Sequence, residues 1–281
     1  MIVLSCYQVD ALVKAHHAGH STVSVSPDLG LTTIEARLEE VGVHFPDRAD
    51  APLPWDALQV VLDSPVACFA YEGGVLHKIE AFSETTNRYC SLMPTQGAPT
   101  LLLSGIPMHR IKGTDPYHDT LTKIKCVKPV VGRVLDTATG LGYTAIEAAR
   151  TAESVITIEL DEAVLQVARQ NPWSQGLFDN PKITQVLGDS FEKIIEFEDR
   201  SFARIIHDPP AFSLAGDLYS GDFYRQLYRV LSNRGVLFHY IGDLDSKSGQ
   251  RVSRGVSRRL NEAGFRRITS RYEAFGLVAQ K

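Results

Sequence analysis

Val134-Leu135-Asp136-Thr137-Ala138-Thr139-Gly140-Leu141-Gly142-Tyr143-Thr144-Ala145 decides the fold. It reads as a short apolar strand, a glycine turn and the start of a helix. Gly140 and Gly142 let the backbone turn sharply and come close to a ligand. The helix expected from Tyr143 to Arg150 points its first N–H groups into that turn, where an accepting or anionic group is favoured.

Outward from this turn, strands and helices alternate. Strands are expected at Val134–Thr137, Val155–Leu160, Ile183–Leu187, Phe202–His207 and Val236–Tyr240. Helices are expected at Tyr143–Arg150, Glu162–Gln170, Phe191–Glu196, Asp222–Leu231 and Val252–Ala263. Nearly continuous apolar strands interleaved with helices imply a parallel sheet covered on both faces. Arg267–Tyr272 and Leu277–Gln280, joined by Glu273-Ala274-Phe275-Gly276, read as a hairpin added at the sheet edge. The fold class is therefore α/β, with residues 113–281 as a Rossmann-like domain. Its lead-in helix, Tyr117–Val127, has Asp115 as N-cap and Pro116 in the first turn.

Residues 1–112 differ. Short β-like runs (Ser21–Ser26, Leu31–Ala36, Val41–Phe45) follow a helix at Tyr7–His17. A loop carrying Pro46, Pro52 and Pro54 leads to a helix at Trp55–Leu62. Ala67–Tyr71 and Val75–Phe82 flank Glu72-Gly73-Gly74, a hairpin signal. This is a small α+β domain without a catalytic motif, a candidate for holding substrate.

Composition narrows the class. With 44% hydrophobic and 22% charged residues the chain is ordinary for a globular protein. It has no run of some 18 apolar residues, so no membrane span is expected. Cys6, Cys68, Cys90 and Cys126 form no Cys-x-x-Cys pair, which argues against a zinc or iron–sulfur site and fits a reducing, cytoplasmic setting. The net charge of −4 is uneven: residues 240–281 carry nine basic and four acidic side chains. Such an end suits phosphates or is a solvated face.

In an open α/β sheet, ligands bind beyond the carboxyl ends of the strands, at the point where strand order reverses. Four strand ends carry telling residues. The first gives Asp136 and the glycine turn. The second gives Glu159, 17 residues after Gly142, a carboxylate able to accept from both ribose hydroxyls. The third gives Asp189 in Gly188-Asp189-Ser190, able to accept from an adenine amino group or to cap the next helix. The fourth is His207-Asp208-Pro209-Pro210-Ala211-Phe212. Its prolines have fixed φ and no N–H. Nearby carbonyls are expected to stay free to accept, Asp208 adds a carboxylate, and Phe212 offers a ring for stacking. Gly140 to Ala145 also satisfies the dinucleotide pattern G-x-G-x-x-A. The long step from Asp136 to Gly140 and the Asp-Pro-Pro run count against hydride transfer.

In that order, Asp136 to Gly142, Glu159, Asp189 and Asp208 to Phe212 resemble the class I S-adenosylmethionine-dependent methyltransferases. The wider wording is similar to a family of predicted archaeal methyltransferases with an Asp-Pro-Pro-x-Phe motif: Ser104 to Arg110, Leu135 to Thr144, Asn171 to Ser174, His207 to Pro210, Leu218 to Ser220 and Phe238 to Tyr240. The resemblance implies S-adenosyl-L-methionine as cofactor. Asp136, Thr137, Ala138, Gly140, Gly142, Tyr143, Glu159, Leu160, Asp189 and Ser190 would hold it. Asp208, Pro209, Pro210 and Phe212 would form the catalytic group, with His109, Arg110, His207 and Tyr219 toward substrate and no metal. It further implies N-methylation of a base in tRNA or rRNA, with RNA as partner. Carbon-5 methylation of cytosine needs a thiolate, and no cysteine follows Cys126. Two alternatives stay open. Asp-Pro-Pro also resembles the motif of branched-polyamine synthases, which implies aminopropyl transfer to a polyamine. The other is a non-catalytic RNA-binding subunit that keeps the donor fold.

Overall fold

The computed structural model describes residues 1–46, 51–212 and 214–281. Residues 47–50 of the proline-containing loop lie outside the described residues. The chain divides into two compact units, 1–117 with 163–175, and 118–162 with 176–281.

The first unit begins with β1 (Ile2–Leu4) and α1 (Cys6–His17). Helix α1 starts where Ser5 and Gln8 form a reciprocal capping box. Then come β2 (Thr22–Val25), β3 (Ile34–Leu38), β4 (Gly42–His44), β5 (Leu53–Pro54) and α2 (Trp55–Leu62). Strands β6 (Phe69–Glu72), β7 (Val75–Lys78), β8 (Glu80–Ser83), β9 (Arg88–Met93), β10 (Thr100–Leu103) and β11 (Ile106–Pro107) complete it. They form three antiparallel sheets, β1-β6-β7, β2-β3-β4-β5 and β11-β10-β9-β8. Ile2, Leu4, Leu12, Phe45, Leu53 and Leu58 make its core. The expected single strand Val75–Phe82 is two strands. Buried Ile79 separates them, donating to Cys68 O and accepting from Leu92 N, and thereby carries the chain from one sheet into another.

The second unit follows the expected α/β class. After α3 (Pro116–Lys125), the chain runs β12 (Arg133–Asp136), α4 (Tyr143–Ala149), β13 (Ser154–Glu159), then α5 (Glu162–Gln170), nearly all of which is counted with the first unit, and α6 (Gln175–Phe178) and β14 (Ile183–Leu187). It continues with α7 (Ser190–Lys193), β15 (Phe202–His207), α8 (Gly221–Val230), β16 (Leu231–Tyr240), α9 (Lys247–Ala263), β17 (Arg266–Arg271) and β18 (Gly276–Gln280). The sheet order is β14-β13-β12-β15-β16-β18-β17. Its first five strands are parallel, and the terminal hairpin joins antiparallel. Successive residues face opposite sides of the sheet. Leu135, Ile205 and Leu237 enter one core, while Val134, Ile206 and Phe238 enter the other.

Helix α9 starts five residues before the expected Val252, because Ser246 accepts from Gly249 N and caps a first turn that carries the weak helix formers Ser248 and Gly249. Strand order reverses between β12 and β15. The pairing Asp136↔Ile206 there sets Asp208 two residues beyond its neighbour's end. No described helix is long and apolar enough to cross a membrane.

Candidate active site

The glycine turn has the conformation its sequence demands. Gly140 (φ 53°) and Gly142 (φ 78°) are both left-handed. A side chain at Gly142 would meet Leu177 Cδ2 at 2.7 Å, whereas one at Gly140 would project into open space. Gly142 is thus fixed by packing, whereas the surface at Gly140 is open. Two carboxylates hold the turn. Fully buried Asp136 accepts from Thr144 Oγ1 at 2.7 Å and from Ala138 N at 3.4 Å. Glu159 accepts from Gly140 N at 2.8 Å and from Asp161 N at 3.1 Å. Burial pushes both carboxyls up to about 7, against the lowering effect of those same hydrogen bonds. Beside Glu159, the side chains of Leu160 and Leu187 are half exposed at adjoining strand ends. Tyr143 is buried in the first turn of α4.

Asp189 realises the capping role: its Oδ1 accepts from Phe191 N at 2.8 Å. Ser190 Oγ donates to Thr137 O at 2.6 Å. Thr137 Oγ1 lies 2.6 Å from His207 Nδ1, and His207 Nε2 lies 2.9 Å from Leu218 O. Since a carbonyl only accepts, His207 carries its proton on Nε2, and Nδ1 accepts from Thr137. His207 is fully buried, and burial holds it neutral with its pKa lowered to about 3. The expectation that His207 faces substrate is therefore corrected: it ties the ends of β12 and β15 to the 216–219 turn.

A second correction concerns the Pro-Pro carbonyls. Pro210 O is not free, because the buried Tyr219 hydroxyl donates to it at 3.1 Å. Tyr219 thus braces the loop from below. Its ring meets Phe212 edge-on at 5.5 Å, and Phe212 itself is exposed. Arg259 of α9 in turn donates to Tyr219 O at 2.9 Å. His109 and Arg110 belong to the first unit, where His109 Nδ1 lies 3.0 Å from Thr100 Oγ1.

What the sequence reading missed stands next to Asp208. Lys123 Nζ, on α3, lies 2.6 Å from Asp208 Oδ2 and 2.8 Å from Asp119 Oδ2. Its ammonium also sits 4.6 Å from the centre of the Tyr240 ring. Lys123 and Asp119 are buried, while the Asp208 side chain keeps 18% of its surface exposed. Burial alone would lower the lysine, but Asp208 and Asp119 outweigh it and raise its pKa. Burial raises Asp208, with Lys123 opposing. The available signal was the i,i+4 spacing of Asp119 and Lys123 on the expected lead-in helix. Among the described residues no His/Cys/Asp/Glu cluster has the form of a metal site.

A parallel sheet with this order, a left-handed glycine turn at its reversal point, and acidic residues at the neighbouring strand ends define a Rossmann-like α/β fold. Residues 115–247 match the spermine/spermidine synthase domain. The chain belongs to one family with the uncharacterized protein MJ1233 of Methanocaldococcus jannaschii, to which it is 48% identical over 199 residues, 70% of this chain and 68% of that protein. It is 33% identical over 153 residues to polyamine aminopropyltransferase 1 of Hyperthermus butylicus, 51% of this chain and 52% of that one. The chain thus spans about half the length of this curated aminopropyltransferase. A spermidine synthase in complex with the transition-state analogue AdoDATO superposes with a TM-score of 0.60 at 21% identity, covering 75% of this chain and 79% of that one.

These findings overturn the expectation of an RNA-base N-methyltransferase. The matched domain and the relatives of assigned activity are those of aminopropyl transfer, the alternative that Asp-Pro-Pro had raised. The expectation rested on the glycine turn and the strand-end carboxylates, features of a fold that does not by itself fix the chemistry.

Proposed function

We propose that the protein transfers an aminopropyl group from decarboxylated S-adenosylmethionine to an amine of the di- or polyamine class. The observation that carries this reading is the buried Asp119–Lys123–Asp208 cluster at the reversal point of the sheet. With both carboxylates ionised the three side chains sum to one negative charge, and Asp208 is the member that reaches the surface. A protonated amine would bring the group to neutrality, which a buried charge favours strongly. The match of residues 115–247 to the spermine/spermidine synthase domain supports it.

On this reading the donor's adenosine lies along the strand ends. Glu159 would accept from the ribose hydroxyls with its remaining lone pairs, Leu160 and Leu187 would flank the adenine, and Gly140 would admit the chain close to the backbone. Asp208 would bind the acceptor amine. Free alkylamines are mostly protonated at neutral pH, with pKa near 10, so the nitrogen must shed a proton before it can attack. The nitrogen lone pair then forms a bond to the aminopropyl carbon attached to sulfur. The carbon–sulfur bond breaks, its electron pair cancels the sulfonium charge, and methylthioadenosine leaves as a neutral thioether. Asp208 takes the proton that the nitrogen releases and passes it to solvent. Most of the rate enhancement would come from holding nitrogen and carbon in line and excluding water.

The test is direct. Purified protein is incubated with decarboxylated S-adenosylmethionine and, in turn, a diamine, a triamine and a tetramine, and products are read by mass spectrometry. Release of methylthioadenosine with a mass gain of one aminopropyl unit on an amine is expected. No transfer to any of the amines would reject the reading.

A further inference from the structure

We propose that Lys123 is a positioning residue for the acceptor: it holds one carboxylate oxygen of Asp208, supplies its counter-charge, and leaves the other oxygen to receive the acceptor amine. This rests on the reading above, in which Asp208 binds that amine. Lys123 is too deeply buried to meet a ligand itself, and its three donors are directed at groups of the protein. Nζ reaches Asp208 Oδ2 at 2.6 Å and Asp119 Oδ2 at 2.8 Å, with the Tyr240 ring at 4.6 Å. Asp208 Oδ1 has no hydrogen-bond partner among the described residues, and this carboxylate retains the exposed edge.

A carboxylate with both oxygens in water rotates freely. One pinned by a buried ammonium presents a single edge in a single direction. Asp119 completes the device, because Lys123 with Asp208 alone would be a neutral pair and would exert little pull on a cation. With Asp119 the cluster keeps one negative charge to attract the amine, while Lys123 stops the two carboxylates from repelling each other into protonation.

The charged and titratable groups facing Asp208 from its surroundings are few. Helix α3 gives Lys123 and Asp119, the end of β12 gives Asp136, and the 216–219 turn gives Tyr219. Tyr240, at the end of β16, backs Lys123. His207, the preceding residue, is held neutral. Removing the lysine charge therefore exposes Asp208 to Asp119 and to burial without compensation, and its proton affinity must rise. Removing the Asp119 charge relieves a repulsion, and its proton affinity must fall. The two substitutions act with opposite sign, which a mere loss of packing would not produce, and only the acid limb and the amine KM tie those shifts to the acceptor.

The experiment uses the full chain with Lys123→Met and Asp119→Asn, each checked by thermal melting. The Asp208 carboxyl is titrated by 13C NMR, assigned by its loss in Asp208→Asn. The pH profile of kcat/KM is measured with the best acceptor amine. Lys123→Met is expected to move the Asp208 titration and the acid limb of the profile up by about one to three pH units. It should also raise KM for the amine at least tenfold while leaving KM for the donor within twofold. Asp119→Asn is expected to move titration and limb downward. An Asp208 titration that is the same in all three proteins overturns the proposal. So does a shifted titration with an unmoved acid limb. The carboxyl titration needs no substrate, so it decides the Lys123–Asp208 link even if the wild-type chain transfers no aminopropyl group, the outcome that would reject the functional reading instead.

Discussion

At the scale of single residues, the proposed reading assigns Glu159 to the donor and Asp208 to the acceptor. Glu159 is pushed up to about 7 by burial, with the Gly140 and Asp161 N–H groups opposing. If its ionised form accepts from ribose hydroxyls as proposed, donor affinity should rise with pH through that value. Between pH 8 and pH 6 calorimetry should show donor binding weakening about tenfold, the loss expected one unit below the pKa. Glu159→Gln should flatten that dependence, and a wild-type affinity that is level across the range would remove Glu159 from the ribose site. Glu159→Ala should cost about 1.5–3 kcal/mol of donor binding. Asp208→Asn keeps shape and removes the proton acceptor. We expect turnover to fall by about 10²–10⁴, the range for a lost general base, with donor affinity little changed. Equal loss of both would move Asp208 to the donor side. These carboxylates were legible in the sequence because each ends an apolar strand. Lys123 was not. A helical lysine four residues after an aspartate ordinarily signals an exposed pair, and only the fold brings Asp208, 85 residues onward, against it.

At the scale of elements, the β12–α4 turn separates two jobs that one Gly-x-Gly spacing had merged. Gly142 is held by its left-handed φ and by Leu177 at 2.7 Å from any added Cβ; Gly140 is held by φ alone. Gly142→Ala should therefore lose the left-handed penalty of about 1–2 kcal/mol together with a packing cost, and its melting temperature should drop the more. Gly140→Ala should show the backbone penalty only, yet on the proposed reading it should weaken donor binding the more, because its methyl group would enter the space proposed for the donor. The reverse ranking in melting and binding assays would contradict this division. The sequence revealed the turn but not the division, since Leu177 comes from α6, an element whose composition gives no helical period. The Asp-Pro-Pro loop carries a similar lesson. Its prolines were read as leaving carbonyls free, but Tyr219, nine residues further on, occupies that of Pro210. Local chemistry predicts which groups are available, and tertiary contacts decide which remain so.

At the scale of the molecule, alternation of strand and helix made the parallel sheet and its terminal hairpin readable before any coordinates. The first unit was less readable, because its strands are short and two of its sheets share the run Val75–Ser83 through Ile79. The structure also adds residues 163–175 to that unit. Trp173 Nε1 donates to Leu29 O at 3.1 Å, and His77 Nε2 lies 3.0 Å from Gln170 Oε1. A shortened protein comprising 113–281 would leave those groups without their partners. It is expected to melt well below the full chain or to aggregate on purification. A fragment that melts cooperatively at the temperature of the full chain would show residues 163–175 to be self-sufficient.

The buried cluster has a consequence for descent as well as for catalysis. Asp119, Lys123 and Asp208 share one buried charge network, so loss of Lys123 alone leaves two carboxylates facing each other, whereas loss of one acid leaves a neutral pair. Loss of Lys123 by itself should therefore be rare. Lineages that leave this arrangement should do so by paired replacement, or through an amide at one of the acids, and the two ends of that pairing lie on segments that never meet along the chain. Position 123 should therefore vary together with 119 and 208 when relatives are compared, while the exposed lysines and arginines around them diverge freely.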